Sequence, residues 1–413
     1  MRKSVLAAAL LLAGTGPALA APANLPPEEA VIAALDGHPG VIAADARIDS
    51  ARAGATMLRK GTHEVTLSGT YVARDIRAEG RYDEFDGTIS RAFRLPGKAA
   101  LDRQAGLLGI DVAKNRRDDM RHQTSLALAQ MWFDWLGAGE TYRTDMATVA
   151  VLEQALHAVE RRSELRDAAK LDVEQARAAL DQARGMAAAT LAMRDEARIA
   201  LASNFPDLPL PPAPPELGQP EMPAMELGKL RDLIIERSHE IRAADREAAR
   251  LGTMAQRARR DRFADPTIGL RGFSERGGNE QGGGIVVSIP LGGGYRKAAA
   301  EQAEAEASAG LQELASARRT IEAMADGDLA AARGRMSAWQ SLAGAARSAQ
   351  AAADRTARGQ ELGAIDLAEA LLARRLAHDA QRQEIAARAD AIRALIKLQI
   401  DAHMMWMTPG DVD

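Results

Sequence analysis

Two spacings of apolar residues alternate along the chain, and each predicts its own kind of element. Val65, Leu67 and Tyr71 alternate with small hydroxyl residues, and Ile285 and Val287 continue a similar alternation in the second half. A period of two is typical of a strand whose two faces meet different surroundings. The pattern predicts strands at about 64–73, 86–95, 265–274 and 284–291.

Between the strand pairs, the spacing changes to that of long helices. No proline occurs from residue 98 to residue 165, and ~68 residues in one helix make a rod of about 100 Å. Apolar residues then recur in steps of three and four at Val149, Leu152, Leu156 and Val159, which is typical of helices packed along their length. The pattern predicts helical hairpins at about 98–203 and 295–407.

The same order of elements occurs twice. Ala43-Ala44-Asp45 recurs as Ala243-Ala244-Asp245, and both motifs lie in a helix that precedes a predicted strand pair. We therefore divide the chain into repeats at 21–205 and 225–407, each with a helix, two strands and a long helical hairpin. Residues 206–224 hold eight of the 17 prolines, which predicts an extended linker. Residues 408–413 form a C-terminal tail.

The first 20 residues predict export. Arg2 and Lys3 precede an apolar run, and Ala18-Leu19-Ala20 is typical of a signal-peptide cleavage site. No later stretch approaches ~20 uncharged apolar residues, so the sequence predicts no transmembrane helix.

The composition limits the chemistry of the chain. It contains no cysteine, which excludes disulfides, thiolate metal sites and cysteine nucleophiles. Its formal charge of −4 predicts no nucleic-acid partner. Aromatic residues make up only 3% of the chain, and this favours long helices over the core of a globular enzyme.

No catalytic constellation is evident in the sequence, so we predict neither an enzyme nor a cofactor. The seven histidines are scattered singly, as at His157 and His239, and the run of three glycines at 292–294 lacks the Lys-Ser/Thr sequel of a phosphate loop. Thioethers suit Cu(I), which makes Met404, Met405 and Met407 candidate metal ligands. We favour the alternative that these methionines form the apolar end of the last helix.

The two strand-to-helix junctions share proline and glycine. Pro96 and Gly97 follow one predicted strand, and Pro290 and Gly292 lie at the end of another. Proline ends the hydrogen-bonded ladder of a sheet, and glycine permits the dihedral angles of a sharp turn into a helix. With Ala264-Asp265-Pro266 and the related triplets at 171–173 and 365–367, these motifs make the chain resemble outer-membrane efflux proteins of the TolC type.

The resemblance implies an α+β membrane protein with a duplicated β-hairpin and long helical hairpin. It implies a homotrimer whose 12-stranded outer-membrane β-barrel continues into a periplasmic α-helical barrel. The implied partners are outer-membrane lipid, a periplasmic adaptor protein and an inner-membrane pump. Independently, four strands cannot close a barrel, and open sheet edges are not tolerated in lipid. The chain departs from the family at Arg166 and Gln360, where the family often has glycine.

The function implied is that of an outer-membrane channel in a tripartite efflux system. It would be a passive exit duct for small toxic solutes, such as metal cations or drugs, or for secreted substrates. The alternative is a periplasmic coiled-coil adaptor, a structural protein of an export system. An adaptor would usually combine one helical hairpin with a compact β-rich domain, whereas this chain has two hairpins and only strand pairs.

The strand pattern also assigns a face to the lipid. Leu67 and Val287 lie on the apolar faces of their strands, which we expect to contact lipid. Half of the aromatic residues fall near the strands, as expected of an interfacial girdle: Tyr71, Tyr82, Phe85, Phe93, Phe263, Phe273 and Tyr295.

The two helix breaks are expected at the periplasmic tip, because each follows an outgoing helix of ~100 Å. Their flanking charges are candidates for closing the tunnel mouth or docking the adaptor: Arg166, Asp167, Arg358 and Glu361. The spacing of a capping box predicts that the returning helices start at the pairs Asp172 with Gln175 and Asp366 with Glu369.

Overall fold

The computed structural model describes residues 25–407, so the predicted signal peptide and the 408–413 tail lie outside the described residues. Within this range the chain forms eight α-helices and four β-strands. None of these helices is long and apolar enough to cross a membrane.

Each repeat contains two helices, a β-hairpin and a pair of long helices. The first repeat comprises α1 (Glu28–Asp36), α2 (Pro39–Lys60), β1 (Val65–Ile76), β2 (Gly80–Ala92), α3 (Lys98–Glu164) and α4 (Lys170–Asn204). The second comprises α5 (Leu227–Arg237), α6 (His239–Asp261), β3 (Thr267–Glu275), β4 (Glu280–Ser288), α7 (Gly294–Glu361) and α8 (Leu367–Asp401). A short 3₁₀ turn at Arg276–Gly278 joins β3 and β4.

Strand β4 begins four residues and ends three residues before its predicted bounds, and β1 ends three residues after its predicted bound. Two boundaries differ more, by six residues each. Strand β2 begins at Gly80 rather than near residue 86, because the polar residues expected to form a loop pair instead with β1 and extend the hairpin. Helix α8 ends at Asp401 rather than near residue 407. His403 and Trp406 have φ angles of 52° and 56°, which a right-handed helix cannot contain.

The four strands form one antiparallel sheet in the order β1-β2-β3-β4. The central pairing joins β2 of the first repeat to β3 of the second, with Ile89 opposite Leu270. Strands β1 and β4 are therefore the two edges, and within the described chain neither has a second partner. The sheet is a single wall to which each repeat contributes one hairpin.

The main apolar core lies far from the sheet, where α1, α3 and α8 meet. Trp135 and Leu136 of α3 are completely buried in it. Leu208 and Leu217 of the proline-rich linker are also buried there. Arg143 donates to Pro214 O at 3.2 Å, and Arg388 donates to Leu217 O at 3.0 Å. Residues 206–224 contain no helix or strand, and the linker is packed against the helices.

The heptad positions recognised in the sequence form the contact between α3 and α4. Val149 and Leu152 of α3 pack with Leu180, Ala183 and Ala187 of α4 in one buried cluster. Alanine at two of these positions lets the helix axes approach closely. Helices α7 and α8 form the corresponding hairpin of the second repeat.

Candidate functional site

The sheet has one apolar face, and its rows run across all four strands. Leu67, Ile89, Leu270 and Ile285 lie directly opposite one another in successive strands, so their side chains project from the same face. Leu67 is 79% exposed. A row of large, exposed aliphatic side chains is costly in water, and an apolar solvent or partner must therefore cover this face.

The opposite face of the sheet is polar. Ser68, Thr88 and Arg271 form a row across β1, β2 and β3, and Arg271 forms an ion pair with Asp86. Alternation of apolar and polar rows is what a barrel wall between lipid and water requires.

Lys98 holds the strand-to-helix junction together. Its side chain is only 1% exposed, and Nζ lies 2.8 Å from both Asp265 Oδ1 and Asp261 Oδ1. Nζ also donates to Phe263 O at 2.7 Å. The first helical residue of α3 is therefore bonded to the segment that leads into β3, which ties the two repeats together where the sheet begins.

Asp265 is the main acceptor of this junction. It accepts from Leu95 N at 2.9 Å, and His63 Nε2 lies 2.9 Å from its Oδ2. Burial alone would raise the pKa of Asp265, but the hydrogen bonds from Lys98, Leu95 and His63 outweigh it and lower the pKa to about 2. The carboxylate is therefore charged at every physiological pH.

A second ion cluster adjoins the first. Asp102 of α3 is 3.0 Å from Arg94 and 2.8 Å from Arg257 of α6. Arg257 also pairs with Asp261. These charges neutralise one another, so the junction is an ionic connection between the repeats. Loss of Asp102 would leave the largely buried Arg94 without its ion pair.

The glycines predicted at the junctions have different roles. Gly97, the residue before α3, has a φ of 82°, which favours glycine, and a Cβ there would also lie 2.0 Å from Arg260 Nη1. Gly292 has no positive φ, but a Cβ there would lie 3.1 Å from Arg262 O. Pro96 immediately precedes Gly97 and Pro290 lies two residues before Gly292, and both prolines lie outside the paired strands.

The helix breaks of the two repeats share one backbone geometry. Arg166 N donates to Ser163 O and Gly363 N donates to Gln360 O. Arg166 and Gly363 have φ angles of 62° and 73°, as expected of a residue that ends a helix in the left-handed conformation. Arg166 thus adopts, with a side chain, the conformation that glycine adopts in the other repeat.

The charged residues at each break pair with a neighbour close in sequence, in the last turns of the outgoing helix or just after it. Asp167 Oδ2 is 3.1 Å from Arg162 Nε, and Arg358 Nη1 is 3.5 Å from Glu361 Oε2. All four side chains are largely exposed, so these pairs stabilise the monomer little. They are accessible to another chain.

The two returning helices begin differently. Asp366 is the N-cap of α8, and its Oδ1 accepts from Glu369 N at 2.7 Å. Helix α4 instead begins at Lys170, so the expectation that Asp172 starts this helix is wrong. Asp172 is the third helical residue, and its Oδ2 accepts from Ala169 N at 3.1 Å. Gln175 lies farther into the helix and has no capping position.

A buried polar cluster in the long helices was not predicted from the sequence. Asp145 of α3 is fully buried, with His378 Nε2 at 2.8 Å and Arg382 Nη1 at 2.9 Å, both from α8. Thr190 of α4 donates to it at 2.6 Å. Burial raises the pKa of Asp145, but hydrogen bonds from His378 and Thr190 and the charge of Arg382 lower it below the ordinary value. Asp145 lies four residues before Val149 and so falls on the same face of α3 as the apolar heptad residues. A charged residue on that face was the signal in the sequence for a buried polar cluster.

The methionines near the C-terminus do not form the end of a helix. Met404 is exposed and its Sδ lies 3.7 Å from Arg237 Nη1, whereas Met405 packs against the main apolar core. Met407 is partly buried. Within residues 25–407, no group of three or more His, Asp or Glu side chains is placed to hold a metal ion. His239 is buried and His157 is exposed.

Comparison with known proteins gives matches in structure but not in sequence families. No family model matches the chain, and no curated protein matches it. The outer-membrane channel OprN has a TM-score of 0.76 at 19% identity, covering 92% of this chain and 90% of OprN. The outer membrane protein VceC from Vibrio cholerae has a TM-score of 0.74 at 15% identity, covering 92% and 96% of the two chains.

A third structure agrees with these two. The open state of the Neisseria gonorrhoeae MtrE outer membrane channel has a TM-score of 0.72 at 18% identity and covers 92% of this chain and 90% of MtrE. The fold is therefore that of outer-membrane channels of the TolC type. The resemblance found in the sequence is confirmed at the level of the fold.

Proposed function

We propose that three copies of the chain form a passive duct across the outer membrane. The observation that carries this proposal is the four-stranded wall, apolar on one face and polar on the other, which continues directly into helices of 67 and 68 residues. The likeness to solved outer-membrane channels over about nine-tenths of the chain supports it. The apolar face would contact lipid, and the polar face would line the lumen.

The oligomer follows from the sheet edges. Within lipid, unpaired backbone groups of β1 and β4 would each cost several kcal/mol. Pairing β4 of one copy with β1 of the next removes both edges, and three chains give a closed barrel of twelve strands, within the range of known barrels. The helical hairpins of the trimer would then form the periplasmic part of the tunnel.

The periplasmic ends of the helices are the proposed contact for a periplasmic adaptor and, through it, an inner-membrane pump. Leu165 and Leu362 occupy equivalent positions directly after α3 and α7, and both are more than 70% exposed. These leucines, next to the Arg162–Asp167 and Arg358–Glu361 pairs, offer a partner an apolar anchor with a charged surround. The energy for transport would come from the pump.

The cargo proposed for the duct is a small toxic solute, such as a metal cation or drug, or a secreted substrate. A soluble adaptor role is disfavoured by the sheet, because an adaptor in the periplasm would expose Leu67 and its row to water. Cell fractionation separates the two functions. A duct is recovered as a heat-modifiable oligomer in outer membranes, whereas an adaptor is recovered in the soluble or inner-membrane fraction.

The closure of the barrel can be tested by disulfide cross-linking, because the natural chain has no cysteine. Val286→Cys in β4 is combined in turn with Thr66→Cys, Ser68→Cys and Thr70→Cys in β1, all on the polar face. One of the three pairs should give a covalent trimer under oxidising conditions. Each single variant is the control and should give no trimer.

The duct is then tested by conductance. The reconstituted trimer should conduct ions in a planar bilayer without nucleotide. Absence of any cross-linked trimer from the three cysteine pairs, together with absence of conductance, would refute the proposed function.

A further inference from the structure

We propose that the strand-to-helix junction carries a binding surface for anionic phospholipid headgroups, on the periplasmic side of the outer membrane. This inference rests on the proposed function, because it places the ends of the strands at the membrane boundary. The surface consists of a basic collar, defined as Arg259, Arg260, Arg262, Arg296 and Lys297, and of the apolar residues that adjoin it.

The fold brings the collar together from two segments. Arg259 and Arg260 lie in the last turn of α6, and Arg296 and Lys297 lie near the start of α7. Arg296 Nη1 donates to Asp261 O at 3.0 Å, which holds the start of α7 against the end of α6. Arg262 directly follows α6, and four residues separate it from β3. The five cations therefore lie at the end of the sheet.

The carboxylates of the junction do not neutralise this collar. Asp102, Asp261 and Asp265 are bonded to the buried cations Lys98 and Arg257, and to Arg94. Of the collar itself, Arg259 pairs with Glu304 and Lys297 lies 3.7 Å from Glu301. In the described structure the other three make no salt bridge, and Arg260 and Arg296 donate to backbone carbonyl oxygens.

The helix dipoles of α6 and α7 favour an anion bound to the collar from outside the chain. Cations in the last turn of α6 complement the helix dipole, so Arg259 and Arg260 have a sufficient explanation within the fold. Arg296 and Lys297 lie instead in the first turns of α7, which has no acidic residue in its first turn. A positive charge at a helix N-terminus is unfavourable. A phosphate bound outside the chain would offset this repulsion, and N-terminal backbone N–H groups suit the same ligand.

Exposed apolar side chains lie beside the collar in the sequence, as expected at a membrane boundary. Phe263 is 76% exposed and Tyr295 is 85% exposed, and each is next to a member of the collar in the sequence. Leu291 is 95% exposed. It lies after β4 and continues the two-residue apolar spacing that includes Val287. Aromatic residues flank the apolar band of outer-membrane barrels, and basic residues beside them attract anionic lipids at the surface.

The first repeat has a smaller version of the collar. Helix α2 also ends with two cations, Arg59 and Lys60, which lie 200 residues before Arg259 and Arg260. Phe93 follows β2 and is half exposed. In a trimer, both versions would recur around the barrel at one height, although the chain as a whole has a charge of −4.

The experiment measures lipid binding to the intact trimer. The full protein in detergent is titrated with phosphatidylglycerol or with phosphatidylethanolamine of the same acyl chains, and bound lipid is counted by native mass spectrometry. The wild-type trimer should prefer phosphatidylglycerol. In the variant Arg259→Gln/Arg262→Gln/Lys297→Gln, the affinity for phosphatidylglycerol should fall by about fivefold per cation removed, the equivalent of ~1 kcal/mol for each basic residue near an anionic surface.

A matched control variant distinguishes the effect of the collar from the effect of net charge on lipid binding. Arg318→Gln/Arg319→Gln/Arg335→Gln removes three exposed arginines from α7 beyond the collar and should leave the lipid preference unchanged. An equal loss in this control, or an unchanged preference in the collar variant, would overturn the proposal. So would displacement of the lipid by millimolar inorganic phosphate, which would identify a site for free phosphate. A conducting trimer without lipid preference would refute this inference alone, and absence of a trimer would refute the duct.

Discussion

Replacing Lys98 with methionine tests the connection between the repeats. Methionine keeps most of the length and apolar volume of the side chain but removes the charge and its donors. In the native chain Nζ contacts Asp261, Asp265 and Phe263 O at 2.7–2.8 Å. The Lys98 side chain is 1% exposed and that of Asp265 is 16% exposed, so Asp265 would lose a charged donor where little water reaches. Asp261 is 41% exposed and keeps its pair with Arg257, so its loss should cost less.

The cost can be worked from these contacts. The pKa of Asp265 falls from 3.8 to about 2 in the fold, which corresponds to ~2.5 kcal/mol of differential stabilisation, shared among its hydrogen-bond donors. Breaking one partner of a buried ion pair costs about 3–5 kcal/mol in general, because the remaining charge is left unpaired. We expect Lys98→Met to lower the free energy of unfolding by about 3 kcal/mol.

The assay is urea unfolding of the protein in detergent micelles, followed by circular dichroism and tryptophan fluorescence. The control is Lys297→Met, which removes an exposed lysine with a single 3.7 Å pair and should cost below ~1 kcal/mol. If the two variants lose the same small amount, the buried network at the junction does not hold the repeats together.

The same network predicts a response to acid. The pKa of Asp265 is lower in the folded chain than in the unfolded chain, so its contribution is fully present above pH 3.8 and is lost as the pH falls toward 2. Unfolding free energies measured across this interval should decline more steeply for the wild type than for Asp265→Asn. Parallel pH profiles would contradict the assignment.

Three further variants test the wall and the tip. Leu67→Arg should impair membrane insertion by ~2–4 kcal/mol if its face meets lipid, whereas Ser68→Arg on the polar face should insert, as judged by the amount of trimer in outer membranes. Combining Asp167→Asn with Arg358→Gln should raise the resting conductance of the reconstituted trimer if these charges close the mouth, and unchanged conductance would remove them from the mechanism. Asp366→Ala should lower stability by ~1 kcal/mol, measured by thermal melting, with little effect on conductance.

The regular elements could be predicted from the sequence because their signals are local. The alternation around Leu67 predicts a strand, and the steps from Val149 to Val159 predict a packed helix. Strand β2 began earlier than predicted because the polar residues before Asp86 looked like a loop. On a hairpin that extends beyond an apolar band, polar residues are compatible with strand pairing, so composition does not mark where such a strand begins.

The site residues were harder to predict because their roles depend on long-range contacts. Asp265 was recognised only as part of a motif, and nothing near it in the sequence identifies Lys98 as its partner. Asp145 was missed because its partners His378 and Arg382 lie more than 230 residues away. The start of α4 was predicted wrongly because the capping-box spacing assumes an N-cap residue whose side chain accepts a hydrogen bond. The N-cap of α4 is Ala169, which has no such side chain, and Asp172 is the third residue of the helix.

The junction and the Asp145 cluster connect helix α3 to the other repeat at two levels along its length. Helix α3 is clamped at its first residue by the ionic junction and again at Asp145, where α4 and α8 are bonded to it. Beyond Asp145, helix α3 continues for roughly 30 Å to Glu164 at 1.5 Å per residue, and it packs there against α4 through Val149 and Leu152. The two helices would therefore tilt together beyond the Asp145 cluster. In the proposed duct, a tilt of about 10° of this pair would displace its tip by about 5 Å, so a small rotation at the cluster would widen the mouth without a change in the wall.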